Sequence, residues 1–183
     1  MIVLASKSPR RKMLMKQISD DFIIYDSNID ESIFYSLSPL DACKNISYHK
    51  ALKARDFYPN DVILSADTIV VLNNQIIHKP KDEMDAKKIL RELSNKTHEV
   101  ITAYTIIKGE KIITEYVVSS VTFNNLSDKL IDDYIKSGSP LDKAGAYGIQ
   151  DNDRYPIIKS YAGSYDNIVG FPVKEIKETL MNL

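Results

Sequence analysis

The chain has 183 residues, 44% of them apolar, with 24 Lys and Arg against 25 Asp and Glu for a formal net charge of −1. That length predicts one globular domain spanning 1–183, and that balance argues against a disordered chain or a broad nucleic-acid-binding face. No apolar run approaches the roughly 20 residues of a spanning helix, the start MIVLASKSPRR turns basic too early for a signal peptide, and the lone Cys43 allows no intrachain disulfide, so a reducing cytoplasm is the expected setting.

Residues 2–5 read as a short buried strand that runs directly into a helix with Ser8 as cap and Pro9 at its first position. Residues 22–25 read as a second strand, followed by a polar, irregular stretch to about residue 38 that carries Asp26, Asp30 and Glu31. Pro39 opens a helix to about residue 57. Residues 62–72 form an apolar run interrupted at its centre by Ser65, Asp67 and Thr68, and Asn73-Asn74 suits a tight hairpin turn into 75–78. Residues 82–93 place Ala86, Ile89, Leu90 and Leu93 at helical spacing. The β-branched runs 100–107 and 112–123 flank a turn containing Gly109 and form the clearest antiparallel pair. Ser127 caps a helix that turns Ile131 and Tyr134 inward, a glycine-rich loop follows, and Pro172 opens a last helix. Early alternation of strands and helices with hairpins in the middle predicts an α/β or α+β fold with a mixed, partly antiparallel sheet flanked by helices.

Charge is unevenly placed: residues 1–19 hold Lys7, Arg10, Arg11, Lys12 and Lys16 and no acid, a local +5 that leaves −6 for the rest. A concentrated cationic end suits a small polyanion. In S-K-S-P-R-R a helix starting straight after a strand offers N–H groups to an anion, and two adjacent arginine forks can meet different phosphate oxygens. The alternative is a well-capped surface helix with a solvated basic face. Asp67, set among apolar neighbours, needs a compensating partner, and a partly desolvated carboxylate is the kind of group that serves as general base; a structural turn-bonding Asp is the competing reading. Glu31, Lys50 and Lys79 lie far apart in sequence, and spacing alone cannot gather them. Gly145 and Gly148 precede Gln150, whose carboxamide can pair with the alternating carbonyl and N–H edge of uracil or thymine, or can be an exposed loop amide. His49, His78 and His98 show no metal-ligand spacing and, with Cys43, are read as structural.

Together, L-A-S-K-S-P-R-R at 4–11, A-D-T-I-V at 66–70, K-P at 79–80, L-S-N-K-T-H at 93–98, D-K-A-G-A-Y-G-I-Q at 142–150 and G-F-P at 170–172 resemble the Maf family, in order and spacing, over essentially the whole chain. Maf proteins are nucleoside triphosphate pyrophosphatases, also described as septum formation inhibitors. The resemblance implies a fold similar to the inosine triphosphate pyrophosphatases, with two lobes around a deep cleft, and hydrolysis between the α- and β-phosphates with a divalent cation such as Mg²⁺ or Mn²⁺. It implies Asp67 as proton acceptor, Arg10, Thr68 and Gln150 as positions tied to substrate choice, Ser8, Arg11, Lys50 and Lys79 as polar residues of the cleft, and Glu31 beside the metal. A-G-A-Y-G-I-Q is similar to the branch acting on dTTP and UTP; the alternatives are the branch acting on 7-methyl-GTP, which carries an acid near the position of Gln150, and a non-catalytic nucleotide-binding regulator of cell division. The expected partner is a nucleotide, not a nucleic acid or a membrane, and a homodimer is left open. Asn95 and Asp151 stand where the family usually has glycine, and Asp151 is expected to place a negative charge beside the base pocket.

Overall fold

The computed structural model describes residues 1–183. Strand β1 (Ile2–Leu4) leads into helix α1 (Pro9–Met15), where Ser8 Oγ accepts the Arg11 amide at 3.4 Å and Pro9 fills a first-turn position that needs no donor. After β2 (Phe22–Ile24), the stretch read as irregular contains a single 3-10 turn at Glu31–Phe34, capped by Asp30. Helix α2 (Pro39–Phe57) starts at Ser38, whose hydroxyl accepts from the Asp41 amide and donates to the Asp41 carboxylate at 2.7 Å. Next come β3 (Val62–Leu72), β4 (Gln75–Ile77), α3 (Glu83–Leu93), β5 (Thr97–Lys108), β6 (Lys111–Phe123) and α4 (Asp128–Lys136). The β3–β4 hairpin turns on Asn73 and Asn74 at φ +50° and +61°, the left-handed conformation that asparagine tolerates. Asn95 also adopts a positive φ, +57°, a conformation that glycine favours and asparagine tolerates.

Residues 62–72 form one continuous strand, so Asp67 is not a turn residue between two strands, and the polar residues inside it find partners: Ser65 Oγ donates to the Ser47 carbonyl at 2.6 Å and Asp67 meets Lys50. One expectation needs correction. The stretch between α4 and the last helix is more than a loop. It holds short 3-10 turns, then β7 (Ile158–Ala162) and α5 (Tyr165–Val169), before α6 (Val173–Met181). All but the first residue of β7 are exposed, so it lacks the apolar alternation that reveals a strand, and α5 is too short to display a helical period.

The seven strands form one mixed sheet in the order β2-β1-β3-β5-β6-β7, with β4 also paired to β3. β1 runs parallel to β2 and β3; the other pairs are antiparallel. Helix α2 packs Ala51 and Ala54 against Val3, Ile63 and Ile107, while Met15 of α1, Ile176 of α6 and Phe171 just ahead of α6 pack together on the sheet. Farther along the long strands, Leu90 of α3 and Tyr134 of α4 join Val70, Val100 and Phe123 in a second core. The two lobes therefore share β3, β5 and β6. On one edge of β3, β1 pairs only with 62–64 and β4 only with 70–72, whereas β5 runs along the opposite edge from 63 to 71. Residues 65–69 are thus left without a neighbouring strand on one side, and Asp67 and Thr68 lie in that gap.

Candidate active site

A cavity of about 610 Å³ opens at this bare edge, with Asp67, Thr68 and Gln150 in its wall. A smaller and more polar cavity of about 310 Å³ adjoins it, and Ser8, Arg10, Arg11, Glu31, Lys50 and Lys79 line both. Ser8, Arg10, Arg11, Glu31, Lys50, Asp67, Thr68, Lys79 and Gln150, the residues that the resemblance implied for the site, therefore all border the same cleft.

Its centre is a carboxylate–ammonium–carboxylate cluster. Helical spacing along α2 places Cys43, Ser47, Lys50 and Ala54 on the face turned toward the sheet. From there Lys50 Nζ reaches Asp67 Oδ1 at 3.1 Å and Glu31 Oε1 at 2.6 Å. Asp67 is only 7% exposed, so its charge is held by this ammonium with little help from solvent. Behind it, Cys43 Sγ donates to the Asp67 carbonyl at 3.3 Å, and burial pushes the thiol pKa up, keeping it a protonated packing group. No group of three or more His, Cys, Asp or Glu side chains forms a preassembled metal cage. Two carboxylates converging on one cationic point are nevertheless a donor set for a hard cation that takes its remaining oxygens from phosphates and water.

The two arginines differ in their engagement. Arg11 donates from Nε to the Gly170 carbonyl at 2.9 Å and from its two terminal nitrogens to Ser6 Oγ at 3.3 Å and Thr68 Oγ1 at 3.0 Å, tying α1 to β3 and to the turn before α6. Burial draws its pKa down and the nearby Asp67 charge opposes that, so the ion is held by neutral acceptors and one facing carboxylate. Arg10 instead reaches across the cleft to Asp142 Oδ2 at 3.1 Å. Thr68 Oγ1 lies 2.8 Å from Thr102 Oγ1 and 3.3 Å from the Gly170 carbonyl, so its proton has a protein acceptor whichever way it turns. At seven residues α1 carries a short dipole, and the side-chain cations dominate the local field.

The loop after α4 builds the other wall. A Cβ on Gly148 would come within 2.9 Å of both Gln150 Nε2 and Lys143 Cε, so the bare backbone there lets the carboxamide fold close over the loop. Lys143 is buried, with Nζ donating to the Ser139 carbonyl, Ser139 Oγ and Asp142 Oδ1 at 2.6, 3.0 and 2.8 Å. Asp151 does not border the cavity, against expectation. Its Oδ2 accepts from Tyr134 at 2.6 Å and Ser139 at 2.7 Å, which turns the charge toward α4 and braces the loop. Tyr147 forms part of the cavity wall, edge-on to His98 and Phe123.

His98 Nε2 meets the Tyr147 hydroxyl at 2.7 Å, its Nδ1 has no partner, and burial lowers its pKa from 6.5 to about 4. Because the folded value lies below the unfolded one, the unfolded chain takes up the proton first; this contribution to stability is complete above pH 6.5 and is lost as pH falls toward about 4. Tm should therefore decline over that window, and less steeply in His98→Phe. Equal slopes in the two proteins would remove His98 as a cause.

Sequence reasoning missed Lys143, Tyr147 and Asp142 as cleft residues, although D-K-A-G-A-Y-G frames them, and it read His78 as structural. His78 borders the cavity with its ring 4.5 Å from that of Tyr35. No spacing signal joins 35 to 78; they meet because Ile76 of β4 packs with Phe34 of the 3-10 turn.

A family model described as Maf-like protein matches residues 1–183. The dTTP/UTP pyrophosphatase of Pyrococcus furiosus is 42% identical over 172 residues, covering 94% of this chain and 90% of that protein. The dTTP/UTP pyrophosphatase of Clostridioides difficile is 39% identical over 181 residues, covering 98% and 93%. The solved structure of the Staphylococcus aureus Ham1 protein superposes with a TM-score of 0.58 at 13% identity, covering 99% of this chain and 98% of that one, a likeness of fold.

Proposed function

We propose, from the premise that this chain belongs to the Maf-like family, that it is a nucleoside triphosphate pyrophosphatase that hydrolyses dTTP and UTP to the monophosphate and pyrophosphate in the cytoplasm. The observation that carries the reading is the convergence of Asp67, Lys50 and Arg10, from three separate elements, and of Lys79, from the loop after β4, on one cleft whose wall also presents Gln150. No helix is long and apolar enough to cross a membrane.

The two cavities divide the substrate. Tyr147, Val70 and Gln150 offer an apolar wall and a carboxamide to a pyrimidine ring, whose imide edge both donates and accepts. The adjoining polar cavity receives the phosphates, so the α–β bond falls near the shared lining, beside Lys50 and Asp67. Asp67 accepts a proton from water; the water oxygen attacks the α-phosphorus in line, and the bond to the bridging oxygen breaks toward pyrophosphate. Lys50 holds the Asp67 carboxylate in place, while Arg10 and Lys79 take up charge on the leaving group. A divalent cation such as Mg²⁺ or Mn²⁺ would be held by Glu31 together with phosphate oxygens and would supply further charge neutralisation at the phosphates.

Pyrophosphate release from a panel of dTTP, UTP, dCTP, CTP, GTP and 7-methyl-GTP with Mg²⁺ tests this. The expected result is turnover concentrated on dTTP and UTP. Preference for 7-methyl-GTP would overturn the base assignment, and saturable binding of every nucleotide without product would overturn the enzyme.

A further inference from the structure

We propose that Asp142 is a positioning residue that competes with phosphate for Arg10, holding the guanidinium while the cleft is empty of anion and yielding it when the anion enters; its role for the nucleotide rests on the pyrophosphatase reading above, its competition with an anion does not.

Arg10 and Arg11 are chain neighbours with opposite situations. The hydrogen-bond partners of Arg11 are uncharged, a carbonyl and two hydroxyls, and they leave a positive group in place. Arg10 Nη1 meets a full negative charge, Asp142 Oδ2 at 3.1 Å, from a residue 132 positions away. Asp142 borders the smaller polar cavity, where a phosphate would have to lie. A phosphate arriving there finds both its cation neutralised and a like charge at its side. Giving up Arg10 does not set Asp142 adrift, because its other oxygen is held by Lys143 Nζ at 2.8 Å and Lys143 is itself fixed to Ser139. The pair is also weak enough to exchange: the Asp142 side chain is 62% exposed and that of Arg10 23%, the regime in which ion pairs contribute little. Asp142 therefore lowers the cleft's affinity for phosphate, which favours release of the anionic products.

The test titrates inorganic pyrophosphate into wild type, Asp142→Asn, Asp142→Glu and Asp26→Asn by calorimetry. Asp26 also borders the smaller cavity, but its partner is Lys7, at 2.8 Å. Asp142→Asn should bind pyrophosphate about two- to fivefold more tightly, with the gain shrinking in high salt. Asp142→Glu should stay near wild type. KM for UTP should fall by a similar factor in Asp142→Asn with no rise in kcat. Merely structural damage to the loop would weaken binding instead. Unchanged or weaker binding in Asp142→Asn, or an equal gain in Asp26→Asn, would overturn the proposal. Wild-type turnover of UTP is read separately, so failure of the enzymatic reading leaves the titration decisive for Arg10.

Discussion

Asp67→Asn is expected to lower kcat for UTP by about 10²- to 10⁴-fold, the range of general-base catalysis, with little change in KM or Tm. The substitution is nearly isosteric. An amide oxygen can still accept from Lys50 Nζ, now 3.1 Å from Oδ1, so the packing around β3 has no reason to collapse. What disappears is a site able to take a proton. Steady-state kinetics with thermal melts would separate the two effects: a rate near wild type removes Asp67 from the chemistry, and loss of the melt shows that the residue supports the fold.

Lys50→Met is expected to be comparably damaging to activity, by at least about 10²-fold, and to destabilise the protein as well. Without the ammonium, Glu31 and Asp67 face each other as like charges with no cation between them. Their repulsion is then free to turn Asp67 away from the position it holds beside Lys50. Removing one partner of a buried pair costs about 3–5 kcal/mol; with the Glu31 side chain 39% exposed, about 1–3 kcal/mol is expected here. Adding Glu31→Gln to Lys50→Met should recover part of that stability, because it deletes the repulsion. A double variant no more stable than Lys50→Met alone would show that the two carboxylates do not repel each other once the ammonium is gone.

Local chemistry made much of the fold legible. Ser8-Pro9, Pro39 and Ser127 announce helix starts, the serines by satisfying first-turn amides and the prolines by needing no donor there, and Asn73-Asn74 and Gly109 announce hairpins by accepting positive φ. The exposed edge strand Ile158–Ala162 and the five-residue helix Tyr165–Val169 were not legible, since neither buries a periodic face. The site divides along the same line. Asp67 shows itself as an acid in an apolar strand, and the glycines before Gln150 mark backbone built for close approach. The pairing of Arg10 with Asp142, the tethering of Arg11 by Gly170 and Thr68, and the turning of Asp151 toward Tyr134 depend on long-range contacts that no local pattern encodes. Asp151 shows the consequence: a charge that looks disruptive in sequence becomes a brace once its acceptor oxygen meets two hydroxyls.

The central claim is that the cleft directs water to the α-phosphorus. Hydrolysis of UTP in ¹⁸O-water, with the products resolved by ³¹P spectroscopy, tests it most directly. Attack at the α-phosphorus puts the heavy oxygen in the phosphate of UMP and leaves pyrophosphate unlabelled. Label in pyrophosphate, or release of orthophosphate as the first product, would contradict it.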